Sequence, residues 1–289
     1  HTTGKAEKCT MCYPRLEVGQ PTVCSETCVG RLRYLGLVLY DADRVAEAAT
    51  EPDETKLMAA QKSILLDPRD PEVLAEARRS GIPEDWLEAA QNSPVYDLAC
   101  RYDVALPLHP EYRTLPMVWY IPPLSPVVDA LTETGHDGED IGNLFGAIDA
   151  MRIPIEYLAE LFTAGDIDPV NDVLRKLAAM RSHMRTVNLG EAVDPSIAEA
   201  VGMTIAEMES MYRLLAIAKY EDRYVIPSAH TEVANALLEE LPGCSVDFTS
   251  TNGDSPVGEA KPVPVTIESF QLTKQRLEAE HYSDLDHKQ

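Results

Sequence analysis

Residues 8–30 read KCTMCYPRLEVGQPTVCSETCVG, and the spacing Cys9-x2-Cys12-x11-Cys24-x3-Cys28 decides how the rest of the chain is understood. Four thiols this close together ask for a common purpose. Thiolate sulfur is a soft donor that selects zinc, copper(I) or iron–sulfur chemistry over hard cations. The flanks are rich in Pro, Gly and Thr and carry no helical period, so residues 1–34 read as ligand loops. Lys5, Lys8, Arg15, Arg31 and Arg33 surround the cysteines, and cationic surroundings favour the thiolate form.

Several uses of these cysteines compete. Two disulfides suit a small secreted domain better than a chain of 289 residues with no visible signal peptide. A thioredoxin-like Cys9-x-x-Cys12 needs a strand before it and a helix after it, which Pro14 and the loop-like flanks oppose. A c-type haem needs His after the second cysteine, where Tyr13 stands. A four-cysteine structural zinc knuckle is the serious rival, although such sites are usually built from two Cx2C-type knuckles. Iron–sulfur ligation fits best. A two-cluster ferredoxin run is C-x2-C-x2-C-x3-C, with the fourth thiolate crossing to the other cluster. Here the opening Cx2C and closing Cx3C are kept and the middle gap is enlarged. That pattern assigns Cys9, Cys12 and Cys24 to one [4Fe–4S] cube and Cys28 to a second, leaving both incompletely ligated.

Composition narrows the class. Lys and Arg number 25 against 48 Asp and Glu, a net charge of −23, so a nucleic-acid partner is not expected. Residues 1–40 carry five Lys/Arg against three Glu, whereas residues 41–100 carry six against fourteen acids. The acidic stretch reads as a solvated face. The longest apolar run, Leu35–Tyr40, is far short of the ~20 residues a membrane span needs. The absent initiator Met and the incomplete ligand set suggest that an N-terminal portion lies upstream of His1.

Along the chain, Tyr34–Tyr40 reads as a buried strand, after which the pattern becomes helical. Asp70-Pro71, Asp168-Pro169 and Asp194-Pro195 each place a cap acceptor before a first-turn proline. Apolar stripes predict helices through Ile155, Leu158, Leu161 and Phe162, and through Val173, Leu177, Met180 and Met184. A third follows the capping box Thr204-x-x-Glu207 and carries Ile205, Met208, Tyr212 and Leu215. Shorter helices are expected at 71–79, 84–91 and 231–240. Residues 104–126 hold six prolines and read as extended chain, with a strand at Met117–Ile121. Trp119 and Tyr120 there suit either a packed connector or an interface. Residues 250–265 read as an irregular arm, and no internal repeat is visible. Cys100 and Cys244 read as small buried hydrophobes, and His109 and His230 as hydrogen-bonded structural residues. No nucleophile triad, phosphate loop or dinucleotide fingerprint occurs, so no catalytic residue is assigned.

The stretch KAEKCTMCYPRLEVGQPTVCSETCVGRLRYLGLVLYDADR, residues 5–44, resembles the last cysteine cluster of respiratory nitrate reductase β subunits. The resemblance continues through SPVYDLA, LPLHPEYRTLPMVWYIPPLSP, RIPIEYLAELFTAGD and YRLLAIAKYEDRYVIP, covering roughly residues 4–245. It implies an iron–sulfur electron-transfer subunit, a non-catalytic part of a quinol-dependent nitrate reductase. Its implied partners are a haem b membrane γ subunit, which supplies electrons, and a molybdenum-cofactor α subunit, which receives them. By the same resemblance Cys9, Cys12 and Cys24 hold one [4Fe–4S] cluster and Cys28 the neighbouring one, nearer the catalytic subunit. A further [4Fe–4S] and a [3Fe–4S] cluster would be served by cysteines that this sequence lacks. The chain would sit on the cytoplasmic face of the cell membrane through its partners, with no span of its own; export alongside a signal-bearing partner stays open. A β subunit of a related molybdenum oxidoreductase, for nitrite, chlorate, selenate or ethylbenzene, is the alternative.

The expected fold class is α+β: a truncated ferredoxin-like iron–sulfur segment, then a mainly α-helical region with irregular extended connectors. Expected boundaries are 1–40 for the cluster segment, 41–126 for helices and the proline-rich connector, 127–245 for a helical C-terminal domain and 246–289 for a polar arm.

Overall fold

Asp and Thr side chains start three of the described α-helices by accepting the free N–H groups of the first turn. In the computed structural model, which describes residues 9–133 and 141–228, Asp70 caps α5 (Pro71–Arg79) with a 2.8 Å bond from the Glu72 amide. Ahead of α5 lie α1 (Tyr13–Glu17), α2 (Val23–Glu26), α3 (Val45–Ala49) and α4 (Leu57–Ser63). After it come α6 (Glu84–Asn92), α7 (Pro94–Tyr96), α8 (Ser125–Glu133), α9 (Ile141–Asp149) and α10 (Ile155–Phe162). The series ends with α11 (Ile167–Leu189), α12 (Ser196–Glu199), α13 (Ile205–Tyr212) and α14 (Tyr220–Arg223). The chain divides into two units, 1–241 and 242–289, and every described residue belongs to the first.

Three details of the helices depart from expectation. The cysteine segment is not all loop, because α1 and α2 form inside it; α1 is a single short turn, below the length at which apolar periodicity is visible. The long helix α11 starts at Ile167, two residues earlier than the expected Pro169, and is capped by Asp166 instead of Asp168, so Pro169 lies inside its first turn. Pro tolerates that position because the first-turn N–H groups have no helical partner anyway. Asp194 does accept the Ser196 amide at 2.9 Å, but α12 is only one turn long. The Thr204–Glu207 capping box forms in both directions, and α13 continues into a π-helical turn at Arg213–Ile217. The helix expected at 231–240 and the arm at 250–265 lie outside the described residues.

The described residues form a mainly helical structure, with β pairing limited to four two-residue strands and one isolated bridge. β1 (Arg33–Tyr34) pairs antiparallel with β4 (Trp119–Tyr120), and β2 (Leu39–Tyr40) with β3 (Leu65–Leu66). The single strand expected at Tyr34–Tyr40 is therefore two, each end recruited by a different partner. Gly36 lies at the break, where an added Cβ would run into the Ser93 hydroxyl and approach Val95 Cγ2 to 3.2 Å. The strand expected at Met117–Ile121 contracts to β4, which Leu106 extends by a bridge to Tyr120.

β1 and β4 position the cysteines. Tyr34 sits opposite Trp119 in the ladder, and both are fully buried in the main core with Leu98, Leu106, Leu174 and Met208. An aromatic side chain buries ~150–250 Å², which at ~25 cal/mol/Å² is roughly 4–6 kcal/mol as an upper bound. At 1% exposed, Trp119 is a core residue, while Tyr112 and Met117 of the same proline-rich stretch face solvent. A smaller core of Leu39, Ala77, Leu87 and Ala90 joins β2 to α5 and α6. Gly36→Ala should lower stability by about 1–3 kcal/mol through overpacking against Ser93, read as a reduced urea midpoint at unchanged slope; an unaltered midpoint would refute this account of the break.

Candidate cluster-binding site

The backbone at the first cysteine pair is unusual before any side chain is considered. Met11 and Cys12 adopt left-handed φ values of 56° and 51°, which non-glycine residues seldom do. This double turn brings the Met11 amide to 3.4 Å from Cys9 Sγ, donating to the sulfur. It also leaves the Cys12 carbonyl free to accept from the Arg15 and Leu16 amides, starting α1. Amides turned toward sulfur stabilise a thiolate and help to set the potential of an iron–sulfur centre.

The second pair lies on and just after α2. Cys24 is in the helix's first turn, with the Thr22 hydroxyl 3.4 Å from its sulfur. Thr22 also donates to Ser25 Oγ at 2.9 Å, and both residues are buried. Cys28 follows α2; its carbonyl accepts from the Arg31 amide at 3.0 Å, where Arg31 is again left-handed. Cys9 and Cys24 are exposed, Cys12 and Cys28 half-buried, and none of the four is in a disulfide. Among the described residues no three Cys, His, Asp or Glu side chains are gathered around one point as ligands of a single ion.

Side chains distant in sequence brace this segment. The eleven-residue gap is closed internally by Arg15, whose Nε donates to the Pro21 carbonyl at 2.8 Å and whose guanidinium pairs with Glu26. Arg33 donates to the Cys24 carbonyl at 3.0 Å. The chain then returns from its far end. Arg31 donates to the Ala216 carbonyl at 3.0 Å, Tyr220 to Glu26 Oε1 at 3.1 Å, Tyr224 to the Ser25 carbonyl at 2.7 Å, and Ser228 to the Glu17 carbonyl at 3.2 Å. Gly19, left-handed at φ 75°, admits this return because a Cβ would stand 3.1 Å from the Ile226 carbonyl.

The electrostatics place tyrosines beside the thiols. Burial raises the pKa of Tyr120, against the pull of Arg33, and Cys24 and Cys28 add to the rise. Burial likewise raises Tyr224; Arg223 opposes it, and Glu26 and Cys28 reinforce it. Tyr220 is pushed up to about 12 by burial and by Glu26. Of the basic residues expected around the cysteines, Arg15 is paired with Glu26, and Arg31 and Arg33 hold backbone carbonyls; Lys5 and Lys8 lie outside the described residues. The bracing role of residues 216–228 was not anticipated. Its only sequence signal is the run of tyrosines and Arg223 ahead of Pro227.

Cys100 stands apart from this segment. It is half-buried against the main core, and burial pushes its thiol up to about 11. His109 Nδ1 lies 2.7 Å from Glu111 Oε1 and its ring stacks on Tyr112, the structural role expected. Cys244 and His230 are outside the described residues.

Comparison with known proteins reads the same regions. A family model described as respiratory nitrate reductase beta C-terminal matches residues 124–205, and one described as 4Fe-4S dicluster domain matches residues 1–38. The chain is 54% identical over 253 residues to the nitrate reductase beta chain of Bacillus subtilis, covering 87% of this chain and 51% of that one. It is 52% identical over 246 residues to the respiratory nitrate reductase 2 beta chain of Escherichia coli, covering 85% and 48%. To the respiratory nitrate reductase beta chain of a Bradyrhizobium species it is 42% identical over 229 residues, 79% of this chain and 68% of that relative. The chain belongs to the respiratory nitrate reductase β-chain family. It spans about half the length of the first two relatives.

The donor chemistry of the segment fits the iron–sulfur clusters of this family: four free cysteines, an amide directed at one sulfur and a hydroxyl beside another. In protein stripped of metal, iodoacetamide at pH 8 should alkylate Cys9 and Cys24 first and Cys100 last, because the thiolate is the nucleophile and Cys100 is disfavoured by both burial and pKa. Peptide mass mapping over time tests this; early modification of Cys100 would contradict it.

Proposed function

We propose that Cys9, Cys12 and Cys24 ligate one [4Fe–4S] cluster and Cys28 a neighbouring one, in an electron-transfer subunit of a quinol-dependent nitrate reductase. The observation that carries this reading is the cysteine segment itself. Four free thiols are held on braced backbone at a spacing that splits three and one, in a chain of the nitrate reductase β family. Bound there, a cluster supplies reversible one-electron storage. The protein's own part is to hold the sulfurs through α1 and α2, to direct the Met11 amide at Cys9, and to shield Cys12 and Cys28 from water.

In this reading residues 1–40 belong to a ferredoxin-like cluster fold, 41–126 form the connector and 127–245 the C-terminal domain. The remaining ligands, with a further [4Fe–4S] and a [3Fe–4S] cluster, come from additional polypeptide. The partners are a molybdenum-cofactor α subunit and a membrane haem b γ subunit, and association with the cytoplasmic face runs through them. No described helix is long and apolar enough to cross a membrane. No residue here performs bond chemistry on nitrate; the subunit conducts.

Iron and acid-labile sulfide analysis of the native assembly tests the cofactor, with near-equal iron and sulfide expected and zinc without sulfide excluding it. Cys28→Ala should abolish quinol-driven nitrate reduction and remove at least one cluster's electron paramagnetic resonance signal. Normal turnover with full iron content would show that Cys28 is not a ligand.

A further inference from the structure

Arg223 ends α14 and is only 9% exposed. Its guanidinium lies 5.0 Å from the Tyr224 ring centroid and 5.7 Å from that of Tyr34. Nε and Nη2 are buried with no hydrogen-bond acceptor. No carboxylate among the described residues pairs with it, although Arg15, Arg69 and Arg78 each have one. A buried guanidinium without an anion is costly, by several kcal/mol for an unpaired ion, so its counter-charge should come from something bound. The surroundings indicate where. Tyr224, on which Arg223 stacks, donates to the Ser25 carbonyl between Cys24 and Cys28 and lies within electrostatic reach of the Cys28 thiol. Glu26, which lies within electrostatic reach of Tyr224, is already taken by Arg15 and Tyr220.

We infer that Arg223 is a positioning cation for the cluster ligated by Cys28, its fixed charge raising that cluster's reduction potential. This rests on the ligand assignment proposed above. A thiolate-bound iron–sulfur cluster is anionic, and one-electron reduction adds one further negative charge. A buried cation nearby favours that reduced state more than the oxidised one, and low surrounding polarity keeps the effect from being screened. The faces of Tyr34 and Tyr224 hold the guanidinium in place while leaving Nε and Nη2 without an acceptor.

The test is a redox titration, followed by electron paramagnetic resonance, of the native assembly carrying Arg223→Gln, Arg223→Met or Arg223→Lys. Iron and sulfide are measured in each. Full iron and sulfide with one cluster's potential lowered in the Gln or Met variant, and near-native potential in the Lys variant, is the expected result. The shift should reach about tenfold in the reduced-to-oxidised ratio at fixed ambient potential, equivalent to about 59 mV for one electron. Loaded neutral variants with unchanged potentials would overturn the inference while leaving the ligand assignment intact. Failure of both neutral variants to assemble would assign Arg223 to folding and equally overturn it. Native protein without iron or sulfide would instead refute the ligand assignment on which the inference rests.

Discussion

The hydrogen bond from the Tyr224 hydroxyl to the Ser25 carbonyl, 2.7 Å long and buried, is the contact on which the cysteine segment depends. Ser25 is fully buried in a helix only four residues long. So short a helix has no stability of its own in water and must be held from outside. Tyr224 does so from 199 residues away, with Arg31, Tyr220 and Ser228 making parallel contacts along the same return. Losing a partner of a buried carbonyl costs about 1–3 kcal/mol, a large share of what a short ligand helix can withstand.

This arrangement divides the work between two kinds of interaction. The β1–β4 ladder fixes the exit of the cysteine segment by driving Tyr34 and Trp119 into the core. The polar return of residues 216–228 fixes the segment's own shape. Hydrophobic burial provides the anchoring energy but little direction, whereas the hydrogen bonds to Ser25, Glu26 and Glu17 specify where each backbone group must lie. A ligand set that must meet rigid cofactors needs both. The left-handed pair Met11–Cys12 adds local strain that the surrounding bonds hold in place.

Much of this was legible in the sequence where the signal is local. The helices α5, α10, α11 and α13 follow from cap residues and apolar stripes, since both act within a few residues. The four cysteines were legible from spacing, and the family from longer strings of residues. What could not be seen depends on partners far along the chain. Tyr34–Tyr40 has the composition of one strand, yet Gly36 must yield to Ser93, so its two ends pair separately. The turns α1 and α2 arise from long-range bracing and carry too few residues to show a period. Tyr220 and Tyr224 look like ordinary surface aromatics until the fold brings them against Glu26 and Ser25.

Hydrogen exchange on Tyr224→Phe protein tests most directly whether the return from the far end holds the ligand segment. The amides of Glu26, Thr27 and Cys28, bonded within the α2 turn, should lose protection by about tenfold or more, while those of α11 keep theirs. Unchanged exchange at Glu26 to Cys28 would contradict the account and show that the cysteine segment holds its shape without Tyr224.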